Sequence, residues 1–245
     1  MKRKIGLNRS HHKKPEQIYS SAEADARLYD LFWHHGFEDF PHAQRRRLIE
    51  FYLMLMRHQM SDNVTRLVKF RDIGIKHFID SLMVPRLTTL KFPLLDVGTG
   101  PGFPGIPLKI VFPDEKIILA EGVRRRVEFL KAVREEMKLK ELDVVGRKID
   151  DTFQLPVRGV ITRALEDTSA TLQNVSQCLE LGGNVYLMKG PNCGAEVKAA
   201  VHKWKAYYSL IEDHEYELPS TPNKRRLLVF RKFKTPLLGP LHERD

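Results

Sequence analysis

The stretch Asp96-Val-Gly-Thr-Gly-Pro-Gly-Phe-Pro-Gly105 places four glycines and one carboxylate within ten positions. It follows a short apolar run and opens a helical one, which is the context a nucleotide-binding loop requires. Gly98 and Gly100 allow a tight turn and a close backbone approach to a ligand, where a side chain would block it. Asp96 bears on which ligand. A dinucleotide would bring an anionic pyrophosphate here, and a fixed carboxylate repels it. S-adenosylmethionine brings a sulfonium and an ammonium group, which a carboxylate attracts. Pro101, Pro104 and Pro107 stiffen the loop, and Pro107 is compatible with a first helical turn. Glu121, 23 residues after Gly98, ends the next apolar run, where a carboxylate accepts both hydroxyl protons of a ribose. Nicotinamide enzymes use the same device, so Glu121 argues for a nucleoside without naming it. Ile149 and Asp150 follow a third run, at the place for an adenine; a solvated acid is the plainer alternative for Asp150.

These residues must be held by elements that the apolar spacing outlines. Residues 22–60 read as two helices separated at 36–41, and 75–87 as a third. From residue 93 the rhythm changes to strands at 93–97, 116–120, 144–145, 159–162 and 184–188. Helices are expected at 108–112, 124–139 and 168–181, the last ended by Gly182 and Gly183. Alternation of this kind implies right-handed crossovers and a doubly wound sheet. Residues 207–218 and 225–233 read as two strands joined by 219–223, an antiparallel hairpin at the sheet edge. The expected architecture is α/β, a Rossmann-like methyltransferase outline. It has a mostly parallel seven-stranded sheet, an antiparallel C-terminal hairpin and an N-terminal helical cap. The expected organisation is a mobile basic tail at 1–18, a helical cap at 19–91, a donor-binding domain at 92–234 and a tail at 235–245.

The 245 residues carry 41 Lys and Arg against 31 Asp and Glu, a net charge of +10. Nucleic acid is the natural polyanionic partner for such a chain. The charge clusters in four places. They are the N-terminal tail (Lys2, Arg3, Lys4, Arg9, Lys13, Lys14), Arg45-Arg46-Arg47, Arg124-Arg125-Arg126, and Lys224-Arg225-Arg226 with Arg231, Lys232 and Lys234. Arg124–Arg126 open a helix, where positive charge opposes the helix dipole, so phosphate contact explains them better than helix stability. Solvated surface is the plain alternative for each cluster. Cys178 and Cys193 make no disulfide framework, and no histidine stands at a zinc spacing, so no metal is expected. No stretch reads as a signal peptide or membrane helix, and a cytoplasmic protein is expected.

The stretch Leu95-Asp-Val-Gly-Thr-Gly-Pro-Gly-Phe-Pro-Gly-Ile-Pro-Leu108 resembles the cofactor loop of the small-subunit ribosomal RNA methyltransferase G family, also called glucose-inhibited division protein B. Asn63-Val-Thr65 and Lys76-His-Phe-Ile-Asp-Ser81 resemble its Asn-Leu-Thr and Arg-His-Ile-Leu-Asp-Ser. Thr162-Arg-Ala164 resembles its Ser-Arg-Ala, and Leu187-Met-Lys-Gly190 its strand-five ending. The resemblance spans residues 45–233. Val64 replaces Leu, Phe78 replaces Ile, and Glu121-Gly122 stands where the family often has Asp with a small polar residue.

The resemblance implies N7-methylation of a guanine in 16S rRNA, naked or in a small ribosomal subunit particle. S-adenosylmethionine is the donor and S-adenosylhomocysteine the product. It implies donor contacts from Gly98, Phe103, Ile149, Asp150 and Arg163, beside Asp96, Gly100 and Glu121. Guanine N7 needs no deprotonation, so no acid–base or covalent catalytic residue is expected. Arg163 ends the fourth strand and is expected to hold the donor or steer the guanine; a salt bridge to Asp96 or Asp150 is its alternative. Arg124, Arg125, Arg126, Arg163, Lys189, His77 and Asn63 are the candidate RNA contacts. For His77 and Asn63 the alternative is a purely structural junction of cap and sheet. A monomer is expected. Two readings stay open beside this one: an inactive RNA-binding assembly factor with the same fold, and a nicotinamide dehydrogenase.

Overall fold

The computed structural model describes residues 12–163, 165–218 and 221–237. Four helical segments come first: α1 (Ser21–Trp33), α2 (His42–Asp62), α3 (Phe70–Ile73) and α4 (Asp80–Leu87). A π-helical stretch, Gly74–Ile79, joins α3 to α4, so the third helical run begins at Phe70 rather than at 75. Ser20 caps α1 by accepting from the Glu23 N–H, and Asn63 ends α2 in the left-handed region, φ 46°.

The sheet comprises β1 (Leu94–Val97), β2 (Ile117–Ala120), β3 (Leu142–Val145), β4 (Val157–Arg163), β5 (Leu179–Lys189), β6 (Tyr208–Glu217) and β7 (Lys224–Lys232). Their order is β3-β2-β1-β4-β5-β7-β6. The first five run parallel; β7 is antiparallel to β5 and β6 to β7. Between them lie α5 (Gly105–Val111), α6 (Arg124–Glu136), α7 (Thr168–Asn174) and α8 (Gly194–Trp204). Every residue of β1 and β2 is buried, as central strands covered on both faces require.

Successive side chains point to opposite faces of the sheet, and the core divides accordingly. Leu94, Ile161, Tyr186 and Val229 join one apolar cluster with Leu28, Phe51, Phe78 and the other inward residues of α1–α4. Leu95, Val160, Val185 and Leu228 join the other, with Leu172, Val197 and Trp204 of α7 and α8. The N-terminal helices therefore share a continuous core with one face of the sheet.

One expectation is corrected and one element is added. The helix expected over 168–181 stops at Asn174, because Leu179 already pairs with Val157 of β4. The Lys232 ammonium donates to the Ser176 and Leu179 carbonyls and fixes the crossing. Tertiary pairing overrides a local apolar spacing that suits a helix. The helix α8 is an addition; Val197, Ala200 and Trp204 stand at helical spacing and are its buried residues.

Of the basic tail, residues 1–11, with Lys2, Arg3, Lys4 and Arg9, lie outside the described residues, as do 238–245. From His12 the chain lies against α2: the His12 ring bonds the Gln59 main-chain carbonyl, and the Gln59 side-chain amide donates to the Lys13 carbonyl. Among the described residues no helix is long and apolar enough to cross a membrane.

Candidate active site

The strand order reverses between β1 and β4, and the Gly-rich loop leaves β1 at that point. In open α/β sheets, ligands bind outside the carboxyl ends of the strands at such a switch. The loop is tied to the neighbouring strand, since Gly98 and Thr99 both donate N–H bonds to the Ala120 carbonyl, at 2.9 and 3.2 Å. Gly98, Gly100 and Gly102 adopt φ of 69°, 60° and 105°, a region that L side chains rarely enter. A Cβ on Gly100 would meet nothing within 4 Å, whereas one on Gly98 would lie 2.5 Å from Leu165 Cδ1. The backbone at Gly100 is thus open to a ligand, and that at Gly98 is covered by the chain leaving β4.

Asp96 is fully buried. Its Oδ2 accepts from the Thr99 hydroxyl at 2.6 Å and from the Gly105 N–H at 2.8 Å, so the carboxylate closes the loop from beneath. Oδ1 is buried and has no hydrogen-bond partner. Burial pushes this carboxyl up to about 6, against the pull of the Thr99 and Gly105 bonds. An orphaned, buried anionic oxygen under an open glycine turn fits a cationic ligand and disfavours a pyrophosphate.

Glu121 stands at the end of β2. Its Oε1 accepts from the Val123 N–H at 2.8 Å and its Oε2 lies 3.5 Å from Arg126. Arg126 also donates to the Val64 carbonyl. The basic triplet at the start of α6 is therefore divided. Arg126 turns inward to Glu121 and the 63–65 turn, and only Arg124 and Arg125 are exposed.

Other expected positions are placed differently. Ile149 is buried in the cluster that holds Val97, Ala120 and Phe153. Asp150 is engaged by Arg147 at 2.9 Å and by the Thr152 N–H at 3.0 Å. The Thr152 hydroxyl, which also donates to it, then the Thr152 N–H and Arg147 hold its carboxyl below the usual range. Its acceptor capacity thus serves its own turn, and a contact to an adenine amino group has to share it. The Phe103 ring is buried among Phe51, Phe78 and the stacked His77 imidazole, 4.2 Å away. The ring anchors the loop to the cap, which leaves the Phe103 backbone as the part that faces the loop. Lys189 is bound to the Glu166 carbonyl and to Glu196 at 2.9 Å, so it fixes β5 rather than facing solvent. Asn63 is a helix terminator whose Oδ1 accepts from Gln59. This is the structural role expected as the other reading of Asn63.

Arg163 pairs with neither Asp96 nor Asp150. Its nearest carboxylate is Asp80 at 3.6 Å, and it donates to the Lys76 carbonyl and to His77 Nδ1, both at 3.0 Å. A guanidinium has only donors, so in this contact His77 accepts through Nδ1, which then does not donate to the Lys76 carbonyl 3.2 Å away. Desolvation first, and Arg163 second, drive this imidazole well below its ordinary range. His77 therefore couples Arg163 to Phe103 of the loop, the junction of cap and sheet expected as the other reading of this residue.

Asp80 lies outside the expected site residues, although it belongs to the Lys76–Ser81 motif. It is 2% exposed, accepts from the Tyr216 hydroxyl at 3.0 Å, and lies 3.7 Å from Arg225 as well as beside Arg163. Burial raises its carboxyl while the two guanidiniums pull it back. One carboxylate thus joins the cap, β4 and the C-terminal hairpin. Replacing it leaves two cations without their common partner, and Asp80→Ala is expected to cost about 3–5 kcal/mol of stability. Urea denaturation checks this; a loss below about 1 kcal/mol, the scale of an exposed pair, contradicts it.

A family profile for rRNA small subunit methyltransferase G (GidB) matches residues 44–227. Ribosomal RNA small subunit methyltransferase G 2 of Bdellovibrio bacteriovorus is 57% identical over 234 residues, spanning 96% of this chain and 91% of that relative. Ribosomal RNA small subunit methyltransferase G of Desulforamulus reducens is 31% identical over 213 residues, spanning 82% and 88%. Among solved structures, TrmN from Thermus thermophilus aligns with a TM-score of 0.49 at 14% identity, covering 65% of this chain and 53% of that one.

Proposed function

Since this chain belongs to the rRNA small subunit methyltransferase G family, we propose that it is an S-adenosylmethionine-dependent enzyme that methylates N7 of a guanine in 16S rRNA. The observation that carries this reading is the open left-handed turn at Gly100 set above the buried, half-unsatisfied Asp96 carboxylate, with Glu121 at the end of the next strand. The Rossmann-like sheet, with its antiparallel hairpin after five parallel strands, positions both carboxylates at one end.

S-adenosylmethionine supplies an electrophilic methyl group on a cationic sulfur. Asp96 offers its field and its free Oδ1 to the positive charge. Gly100 brings backbone close to the donor, Gly98 supplies the left-handed turn beneath Leu165 that leads into it, and Glu121 accepts from the ribose hydroxyls alongside its bond from Val123. Ile149 forms part of the apolar wall on the adenine side. Guanine N7 carries an exposed lone pair, so the residues at the site need not remove a proton. Their work is alignment and exclusion of water. Arg163, at the end of β4 and tied to the loop through His77 and Phe103, holds the boundary between donor and acceptor. Arg124 and Arg125, exposed beside Glu121, contact RNA phosphates. The partner is 16S rRNA or the small ribosomal subunit particle, the protein acts as a monomer, and a ribosomal substrate makes the cytoplasm its place of work.

Mass-spectrometric mapping of methylated guanines in rRNA from cells with and without the gene tests this reading. One small-subunit N7-methylguanine should disappear with the gene; an unchanged methylation map contradicts the assignment.

A further inference from the structure

The basic triplet at the start of β7 does not act as a unit. Arg226 forks onto Asp213, with Nε and NH2 at 2.7 and 2.6 Å. Lys224 is exposed and pairs with Glu217 at 3.4 Å. Arg225 turns the other way, into the molecule. Its side chain is only 25% exposed, and its ion-pair partner among the described residues is Asp80, at 3.7 Å from Nε.

Asp80 is shared. It also faces Arg163 at 3.6 Å, and it takes a hydrogen bond from Tyr216. Two guanidiniums therefore meet one carboxylate, and the surplus positive charge is held in a partly desolvated place where it acts strongly. Both ion pairs, at 3.6 and 3.7 Å, are longer than the 3.0–3.1 Å bonds these guanidiniums make elsewhere, so Asp80 leaves most of their N–H donors uncommitted. Arg163 spends two donors, on Lys76 and His77, and Arg225 one, on the Lys224 carbonyl. A guanidinium has five. Arg163 also feels the charge of Asp96, but the hydrogen bonds of that carboxylate belong to the donor loop.

The location selects among anions. Arg226 pairs with Lys189 and Arg225 with Tyr216 in the strand register, so the start of β7 lies beside the end of β5. This is the carboxyl end of the parallel strands, level with the Gly-rich loop. In the order β2-β1-β4-β5-β7, however, Arg225 lies on the far side of β4 from β1 and β2. The groups set for the donor's nucleoside, Glu121 and the loop, are on the near side. An anion that reaches Arg225 therefore comes with the acceptor, and RNA presents one phosphate per nucleotide. Paired guanidiniums match phosphate oxygens in a way that ammonium groups do not.

We propose that Arg225 and Arg163, held apart and partly neutralised by Asp80, form a binding site for one phosphate of the acceptor RNA. It thereby sets the position of the target nucleotide over the end of β4. This deepens the reading above and rests on the acceptor being small-subunit rRNA.

The test uses the full chain with Arg225→Gln and Arg225→Lys. Three quantities are measured: the donor dissociation constant by calorimetry, KM and kcat for methyl transfer to small-subunit rRNA, and the salt dependence of RNA binding. Arg225→Gln should raise the KM for RNA by about tenfold or more and flatten the salt slope by about one, as expected for a lost phosphate contact. Donor affinity should stay within about twofold, since less than 0.5 kcal/mol is at stake there. Arg225→Lys keeps a charge beside Asp80 and loses the planar fork, so it should fold normally and fall between wild type and Arg225→Gln in KM. An unchanged KM and salt slope with lowered thermal stability would show Arg225 to be a structural clamp and overturn the proposal. Loss of donor affinity instead would assign the anion to the donor's carboxylate, and also overturn it. A wild-type protein that transfers no methyl group to rRNA defeats the functional reading itself; a fully active wild type with an indifferent Arg225→Gln defeats only this inference.

Discussion

Asp96→Asn is expected to weaken binding of S-adenosylmethionine about ten- to hundredfold while leaving the melting temperature at pH 8 unchanged or higher. A hydrogen bond or close contact to a charged group is worth roughly 1.5–3 kcal/mol, which is the size of that loss. The amide keeps the shape of the side chain, and its oxygen can still accept from Thr99 and Gly105, the two bonds that Oδ2 now makes. What disappears is a buried negative charge. The wild-type carboxyl is pushed up to about 6 from the ordinary 3.8, so the folded protein binds this proton more readily than the unfolded chain. The ionised group therefore opposes folding above pH 6, and this cost fades as pH falls toward 4. The neutral asparagine has no such cost at any pH. Donor affinity carries the opposite signature: the cation needs the ionised form, so wild-type affinity should fall as pH drops through about 6, and the variant's should not. Calorimetric titration between pH 5 and 8 reads both. Equal affinity and parallel pH profiles in the two proteins would remove Asp96 from the donor site.

Gly100→Asn should remove most donor binding at little cost to the fold. The φ of 60° at this position lies in the left-handed region, which asparagine enters more readily than other side chains. Its Cβ would meet no protein atom within 4 Å, so the protein itself accepts the side chain. The side chain would fill the open space at the turn, the space assigned above to the donor. Overpacking there costs roughly 1–3 kcal/mol and lowers affinity about ten- to hundredfold. Gly98 and Gly105 are poorer tests, because a Cβ on them meets Leu165 and Leu119 at 2.5 and 2.2 Å and disturbs the fold directly. Normal donor affinity in a well-folded Gly100→Asn protein would move the ligand off this loop.

The parts of the site legible in the sequence are those written locally. The glycine turn, the carboxylates closing β1 and β2 and the run of short apolar strands each lie within a few neighbouring residues, and the structure places them at one end of the sheet. What was not legible depends on partners distant in the chain. Arg163 is visible as a charge at a strand end, but nothing in the spacing names Asp80, Tyr216 or Arg225 as the groups around it. The one available signal was an aspartate amid apolar residues, between Ile79 and Leu82, in a segment that must pack inward. The triplets Arg124–Arg126 and Lys224–Arg226 look uniform as sequence. In three dimensions each is divided between inward and outward members, because successive residues on a helix or strand point in different directions. Carrying Phe103 over by position located its backbone on the loop but not its ring, whose direction is set by Phe51, Phe78 and His77.

The most direct measurement is transfer of a labelled methyl group from S-adenosylmethionine by the purified chain, offered naked 16S rRNA and assembled small subunits that lack the modification. One methyl group per rRNA molecule is expected, recovered as N7-methylguanine, with transfer at limiting donor lowered about ten- to hundredfold in Gly100→Asn. Label found on another base, on another atom of guanine, only on protein, or not at all would contradict it.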